Sequence, residues 1–176
     1  DGFQDFSINK NLSIICFNER QWIGNGFVIP SGPLREQLSA IKRASCVVLN
    51  GEKNIDIEKI IFNVSKTVKI FYTKYKTQNI DEFKNKKVTA FAGIGNPENF
   101  FTLLKDNNIN VVKEIKFPDH YNYTKNELEN IITETKKNSE ILVTTEKDYM
   151  RIDENYKKDI NYLKITVDIK NRDKFI

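Results

Sequence analysis

The sequence has few histidines and cysteines, the side chains from which zinc and redox sites are usually built. It contains one histidine, His120, and two cysteines, Cys16 and Cys46, whose spacing matches no zinc-ligand pattern. Both cysteines stand in apolar runs, where a thiol commonly behaves as a small buried hydrophobe, and a disulfide between neighbouring strands is the alternative. We therefore expect a reducing compartment, and the cytoplasm fits best.

Long apolar runs and a large excess of one charge are absent as well. No stretch approaches the roughly 18 residues that span a bilayer, so we expect any membrane contact of these residues to be peripheral. The 28 basic and 24 acidic side chains leave a net charge of +4. That balance does not indicate nucleic-acid binding, although a mildly basic face favours an anionic ligand.

Short β-rich apolar runs alternate with longer segments of helical period, which predicts an α/β fold with parallel sheets. The predicted strands are residues 12–17, 45–49, 68–75, 88–92, 111–117, 141–145 and 163–167. Helices are predicted at residues 33–44 and 56–65, after Asn96-Pro97-Glu98, and after a capping box at residues 124–127. The lysine-rich connector at residues 81–87 is the best candidate for a domain boundary, with a solvated loop as the alternative.

Polar clusters follow three strands of the second half, at residues 93–96, 118–120 and 144–148. Ligands of open α/β sheets bind beyond the carboxyl ends of the strands. If these strands are parallel neighbours, all three clusters meet at one edge of the sheet. We therefore expect function to concentrate there.

Each cluster has a functional and a structural interpretation. Residues 93–98 begin like a dinucleotide fingerprint but have Glu98 in place of the third glycine, so exposed N–H groups that bind phosphate compete with a simple tight turn. His120 suits general acid/base chemistry because imidazole titrates near neutral pH, yet a structural or merely exposed histidine looks the same. Lys147 lies between two acids, as it does in an ordinary salt-bridged turn.

Arg35 and Glu36 follow Gly32-Pro33 at a predicted helix start. Arginine can clamp a phosphate, and glutamate can hold Mg²⁺ directly or through water. An ordinary helix start has the same sequence pattern. Both interpretations stay open at this point.

Six segments together resemble the tetraacyldisaccharide 4′-kinase (lipid A 4′-kinase) family in order and spacing along nearly the whole chain. They are residues 1–4, 24–26, 30–36, 90–97, 117–120 and 144–148. The resemblance implies a phosphate-loop kinase domain followed by a smaller α/β domain, with the active site between them. Residues 1–85 then correspond to the later part of the kinase core, and residues 86–176 to the smaller domain, whose final segment is expected to return toward the first.

The resemblance also implies roles for single residues. Asp1 matches the second acid of a pair expected at the magnesium and catalytic centre, and Glu36 is expected at the same metal. His120 matches the histidine of a Pro-Asp-His motif expected to support phosphoryl transfer. The expected nucleotide or phosphate contacts are Gln4, Arg35, Gly93, Asn96 and Lys147. Asp5 stands where the family usually has histidine, so the role of that position stays open.

The function implied by the resemblance is transfer of the γ-phosphate of ATP, with Mg²⁺, to the 4′-hydroxyl of the tetraacyldisaccharide 1-phosphate precursor of lipid A. The expected location is the cytoplasmic face of the inner membrane, with peripheral contact. No Gly-x-x-x-x-Gly-Lys-Ser/Thr run occurs in these residues and the first is aspartate, so we expect the chain to lack an upstream phosphate loop and to be inactive alone.

Two alternatives stay open from the sequence. The first is a non-catalytic product, either a truncated relic of the kinase or a nucleotide-binding module. The second is an unrelated enzyme that binds NAD(H) through residues 93–96 in Rossmann fashion. It is the weaker of the two, because neither the third glycine nor a ribose-binding acid is apparent.

Overall fold

The computed structural model of the chain describes residues 2–175, so the predictions for Asp1 lie outside the described residues. The chain divides into two compact units. One extends to Lys76 and resumes at Val167, and the other spans Thr77–Thr166. The domain division near residue 85 rests on the family resemblance and stays a prediction.

The described elements alternate between strands and helices, which confirms the predicted α/β class. The strands are β1 (Ile14–Asn18), β2 (Cys46–Asn50), β3 (Lys69–Thr77), β4 (Lys87–Ala92), β5 (Asn110–Lys116), β6 (Ile141–Thr145), β7 (Asn161–Leu163) and β8 (Ile165–Ile169). The α-helices are α1 (Ile55–Val64), α2 (Pro97–Asp106), α3 (Lys125–Lys137), α4 (Glu146–Arg151) and α5 (Glu154–Lys157). Short 3₁₀ helices occupy Leu38–Arg43, Ile80–Phe83 and Arg172–Lys174.

The sheet of the first unit has the strand order β1-β2-β3-β8, and β1, β2 and β3 run parallel. Helix α1 begins where the side chain of Asn54 accepts hydrogen bonds from the N–H groups of Asp56 and Ile57. Its buried side chains, Ile57 and Ile61, pack with Val47 and Leu49 of β2. Burial of this apolar face holds the helix against the sheet.

The sheet of the second unit has the order β5-β4-β6-β7, with every neighbouring pair parallel. Its central strand β4 is buried on both faces, so residues along it alternate between two apolar clusters. Val88, Ala90 and Ala92 share a cluster with the buried phenylalanines of α2. Phe91 shares the other cluster with Leu128 and Ile132 of α3.

The helix predicted at residues 33–44 is wrong. Only Leu38–Arg43 is helical, as a 3₁₀ helix, and the residues before it form a loop with an isolated bridge between Val28 and Leu34. The Leu34 N–H donates to the carbonyl of Phe27 at 3.2 Å. Contacts with residues several positions upstream therefore override the local helix signal of Pro33.

The strand predicted at residues 163–167 is two strands. β7 joins the sheet of β6, and β8 joins the sheet of β3. Between them, the N–H of Lys164 donates to Asn79 Oδ1 at 2.8 Å and its carbonyl accepts from the N–H of Gln78 at 2.9 Å. These bonds to a distant segment interrupt an apolar run that looks continuous in the sequence.

The two cysteines differ in environment. Both are free, Cys46 is buried and Cys16 is exposed on β1. The prediction of a buried thiol is therefore confirmed for Cys46 and wrong for Cys16. Among residues 2–175, no helix combines the length and the hydropathy that crossing a membrane requires.

Candidate functional site

The carboxyl ends of β4, β5 and β6 bring together Gly93, Asp119, His120, Lys147 and Asp148, here called the strand-end cluster. β4 lies between β5 and β6 in a parallel sheet, so the segments that follow these strands meet at one edge. The N–H of His120 donates to the carbonyl of Gly93 at 3.1 Å, and the N–H of Gly93 donates to Asp148 Oδ2 at 3.0 Å. The expected meeting of the three clusters is confirmed.

His120 presents an exposed imidazole on an unusual backbone. Its φ of 58° lies in the left-handed region, which non-glycine residues seldom adopt because the Cβ approaches the backbone. The side chain is 71% exposed. Two hydrogen bonds from its N–H, to Gly93 O at 3.1 Å and to Asp119 Oδ1 at 3.0 Å, hold this conformation.

Lys147 lies beside both members of the Asp119-His120 pair. Its Nζ is 3.3 Å from His120 Nε2 and 3.3 Å from Asp119 Oδ1. An ammonium group can only donate a hydrogen bond, so in the neutral form of the ring this contact would use Nε2 as the acceptor. Lys147 is thus placed to contact the imidazole and the carboxylate together.

The carboxyl group of Asp119 is held in its ionised form. Desolvation alone raises the pKa of Asp119, but the hydrogen bond from Lys147 and the proximity of His120 outweigh it and place the pKa below its ordinary value. The result is a compact arrangement of an anion, a cation and an imidazole at the sheet edge. Such a set can move a proton and attract an anionic group.

Asp148 belongs to the predicted cluster at residues 144–148, but the sequence interpretation gave it no site role. Its side chain is fully buried, and it accepts hydrogen bonds from Gly93 N, from Thr145 Oγ1 at 2.7 Å and from Arg151 Nη2. Residues 146–151 form helix α4 with Thr145 as its N-cap, so the suggested salt-bridged turn is instead a helix start. The Thr145-x-x-Asp148 spacing, a capping-box pattern, was the available signal.

The aromatic side chains beneath the cluster limit the space around Gly93. A Cβ at this position would lie 2.8 Å from Tyr123 Oη and 3.2 Å from the carbonyl oxygen of Pro118. Tyr123 packs edge-on against Phe91 and Phe117, with ring centroids 5.4 and 5.0 Å away. Burial, followed by the charge of Asp148, raises the pKa of Tyr123. Close packing therefore requires glycine here.

The turn at residues 93–96 offers fewer N–H groups to a ligand than its sequence suggests. The N–H of Gly93 is engaged by Asp148, which favours the tight-turn interpretation of that glycine. The side chain of Asn96 accepts from Asn99 N at 3.3 Å and caps α2. Within residues 2–175, no hydrogen bond engages the N–H of Gly95 or Asn96.

A second group of predicted residues lies in the first unit. Glu36 accepts hydrogen bonds from Gln4 Nε2 at 2.9 Å and from Arg43 Nη2 at 2.9 and 2.8 Å. The bonds from Arg43 and then from Gln4 lower the pKa of Glu36. Arg43 also stacks over the rings of Phe3 and Phe6, at 4.8 and 5.0 Å from their centroids.

Gln4, Arg35 and Glu36 all line one cavity of about 390 Å³. The structure therefore brings these three predicted residues together, whereas Gly93, Asn96, His120 and Lys147 belong to the second unit.

Arg43 was not predicted, because residues 33–44 were interpreted as a continuous helix. Asp5 caps a local turn by accepting from Ser7 N and Ser7 Oγ, and the side-chain bond lowers its pKa.

The oxygen donors of the first unit agree in type with the metal expected from the sequence. Carboxylate and amide oxygens, as in Glu36 and Gln4, suit a hard cation such as Mg²⁺. Within residues 2–175, no three His, Cys, Asp or Glu side chains are grouped so as to hold a metal ion. A magnesium site would therefore need further ligands, such as Asp1, a phosphate or water.

Comparison with known proteins decides the family. A model of the LpxK family, described as tetraacyldisaccharide-1-P 4′-kinase, matches residues 1–176. The chain belongs to this family. The resemblance found in the sequence is thereby confirmed, and membership does not agree with an unrelated NAD(H) enzyme.

Individual relatives agree with the family match. The chain is 42% identical over 172 residues to the tetraacyldisaccharide 4′-kinase of Pelagibacter ubique (strain HTCC1062), covering 96% of this chain and 55% of that protein. It is 39% identical over 153 residues to that of Rickettsia bellii (strain OSU 85-389), covering 86% and 47%. The chain spans about half the length of the LpxK relatives that it matches.

A solved structure is similar as well. The crystal structure of the "apo" form of LpxK from Aquifex aeolicus in complex with ATP matches with a TM-score of 0.66 and 26% identity. The match covers 99% of this chain and 53% of that chain. The α/β arrangement described above is therefore that of an LpxK structure over nearly the whole chain.

Proposed function

We propose that the whole protein containing this chain is an Mg²⁺- and ATP-dependent kinase that phosphorylates the 4′-hydroxyl of tetraacyldisaccharide 1-phosphate. Family membership supports the reaction, and the strand-end cluster supports the mechanism. The observation that carries the proposal is the exposed imidazole of His120, held between Asp119 and Lys147. An ordinary structural histidine needs neither this exposure nor these partners.

In the proposed mechanism His120 handles the proton of the attacking sugar hydroxyl. In its neutral form the imidazole would turn the Nε2 lone pair toward Lys147 Nζ, 3.3 Å away. A shift of the Lys147 ammonium toward an incoming phosphate would free Nε2 to accept a proton. Asp119 would then stabilise the imidazolium that forms, since its carboxylate oxygen lies 3.8 Å from Nε2.

The start of α2 is the proposed contact for an anionic group of the substrates. The N–H groups of Gly95 and Asn96 face no acceptor within the described residues, and the positive end of the helix dipole favours a phosphate there. Glu98 in the first turn opposes an anion, but its charge is paired with Lys116 at 2.7 Å. We assign Asn96 and Lys147 to phosphate binding, and Gly93 to shaping the turn.

Gln4, Arg35 and Glu36 are proposed to serve the nucleotide and metal side of the same reaction. When bound, Mg²⁺ supplies charge neutralisation at the β and γ phosphates. The Glu36 carboxylate is already bound by Gln4 and Arg43, so we propose that it acts through water rather than by direct coordination. Asp1 is proposed as a further metal and catalytic ligand on the strength of the family motif.

The Gly-rich cradle for the triphosphate is proposed to come from residues outside this chain. No phosphate-loop sequence occurs in the 176 residues, and phosphoryl transfer depends mainly on positioning and charge neutralisation. We therefore expect the isolated chain to lack kinase activity.

Peripheral contact with the cytoplasmic face of the inner membrane is proposed because the acceptor is a lipid.

The test is a transfer assay on the whole protein. It is incubated with ATP, Mg²⁺ and tetraacyldisaccharide 1-phosphate, and the product is examined by ³¹P NMR for a new phosphate monoester at the 4′ position. The chain of 176 residues serves as the inactive control. ATP hydrolysis without transfer would contradict the proposal, and no turnover at all would contradict it and favour the non-catalytic relic.

A further inference from the structure

The buried carboxylate of Asp148 joins the ends of two strands. One oxygen accepts from the N–H of Gly93 and from Thr145 Oγ1, at 3.0 and 2.7 Å, and the other accepts from Arg151 Nη2. The side chain has no exposed surface. A buried charge is tolerated only where such partners satisfy it, so this network fixes the relative positions of its members.

The network reaches His120 through a single residue, Gly93. The carbonyl of Gly93 accepts from the N–H of His120 at 3.1 Å and from Arg151 Nη2 at 3.0 Å. The N–H and the carbonyl of Gly93 are thus both held by the Asp148-Arg151 pair. This carbonyl accepts one of the two hydrogen bonds that hold the left-handed backbone of His120, so the Asp148-Arg151 pair helps to position the imidazole.

The same carboxylate also places Lys147. The N–H of Asp148 donates to Thr145 Oγ1 at 3.1 Å, and Thr145 Oγ1 donates to the Asp148 carboxylate, which fixes the start of α4. Lys147 lies within this first turn and extends to Asp119 and His120. The buried side chain of Asp148 therefore helps to position both Lys147 and His120, the two residues of this contact.

We propose that Asp148 is a positioning residue for phosphoryl transfer. It acts through Arg151 and the backbone of Gly93 to hold the side chains of His120 and Lys147 in contact. The inference rests on the proposed function, to which it adds a residue that touches no substrate. A simpler alternative is that Asp148 only caps α4. That alternative predicts changes confined to α4 and to overall stability.

The kinetic arm compares Asp148→Asn with wild type in the whole protein. Asparagine keeps the size of the side chain but cannot satisfy both Gly93 and the Arg151 guanidinium as an anion does. We expect kcat per folded molecule to fall about tenfold or more, because misplacement of a reacting group by about an ångström costs on the order of a hundredfold. The KM for ATP is expected to change much less than kcat, because Gln4, Arg35 and Glu36, which are proposed to serve the nucleotide, belong to the first unit.

Glu140→Gln is the matched control. Glu140 Oε2 accepts from Thr89 Oγ1 at 2.6 Å, near the amino ends of β4 and β6 and away from the strand-end cluster. Loss of the Glu140 carboxylate therefore also removes a part-buried charged hydrogen bond. This variant is expected to keep its kcat. If Asp148→Asn does not fold, Arg151→Met replaces it, because methionine keeps an unbranched side chain but donates neither of the bonds that Arg151 Nη2 makes to Asp148 and to the Gly93 carbonyl.

Hydrogen exchange separates this inference from the proposed function. In Asp148→Asn, the amides of Gly93 and His120 are expected to exchange at least about tenfold faster, while the amides of α3 keep their rates. Unchanged exchange at His120, or an unchanged kcat with only a lowered Tm, overturns the positioning role. Absence of transfer by the wild type refutes the proposed function instead, and the exchange rates still decide whether Asp148 holds His120.

Discussion

Gly93 is constrained by its neighbours rather than by its backbone conformation. A methyl group there would contact Tyr123 Oη at 2.8 Å, and the tyrosine ring is itself packed among Phe91, Phe117 and Tyr121. Gly93→Ala is expected to lower the free energy of unfolding by about 1–3 kcal/mol, the usual cost of overpacking. Chemical denaturation of the variant measures this loss.

Gly95→Ala is the control for that prediction. The nearest atom to its added Cβ is Asp119 Oδ2 at 3.4 Å, an ordinary contact. The free energy of unfolding is expected to change by less than about 0.5 kcal/mol. Equal losses for the two variants would show that the turn, and not the aromatic packing, sets the cost.

Single residues show where interpretation of the sequence reached its limit. His120, Gly93 and Lys147 were predicted to meet because strand ends in a parallel sheet must converge. Asp148 was part of a predicted cluster but received no role, because its bond to Gly93, 55 positions away, cannot be deduced from the sequence. Arg43 was also missed, because its partners Phe3 and Phe6 are distant in sequence and its partner Glu36 lies in a loop that was predicted to be helical.

Helix α3 owes its start to a complete capping box. Thr124 Oγ1 accepts from Glu127 N at 3.3 Å, and Glu127 Oε2 accepts from Thr124 N at 2.8 Å. The bond from the Thr124 hydroxyl, then that from its N–H, lowers the pKa of Glu127 from an ordinary value of 4.5. The box therefore stabilises the fold fully above pH 4.5, and this contribution is lost as the pH falls through the lowered pKa.

Glu127→Gln tests this pH dependence. Glutamine resembles the protonated acid, so the difference in unfolding free energy from wild type is expected to be largest near neutral pH and to shrink in acid. Urea unfolding at a series of pH values measures it, with Glu146→Gln as a control for net charge. If the difference in unfolding free energy between wild type and Glu127→Gln grows toward low pH, the proposed role of the ionised Glu127 carboxylate is wrong.

Elements whose signals are local were predicted well. The Asn96 cap and the capping box at Thr124 involve residues three positions apart, and both are present. The failed helix at residues 33–44 depends on Phe27, and the split of β7 from β8 depends on Asn79, which bonds to Lys164 across 85 positions. Propensity cannot predict contacts of that range.

The whole molecule is best considered with its relatives. This chain spans about half of each LpxK protein that it matches, so its two units are only part of the machinery proposed for the reaction. Within the described residues, the first unit groups Gln4, Arg35 and Glu36, and the second groups Asp119, His120 and Lys147. The first set suits a metal-bound nucleotide, and the second suits proton transfer.

The central claim, that His120 carries out proton transfer in a kinase, is tested most directly by the kcat of His120→Ala in the whole protein. Asn122→Ala, which truncates another exposed side chain of the same loop, is the matched control. The account predicts that kcat falls roughly 10²- to 10⁴-fold for His120→Ala and stays near wild type for Asn122→Ala. A fall of less than about threefold for His120→Ala would contradict the claim, because removal of a general acid or base costs far more.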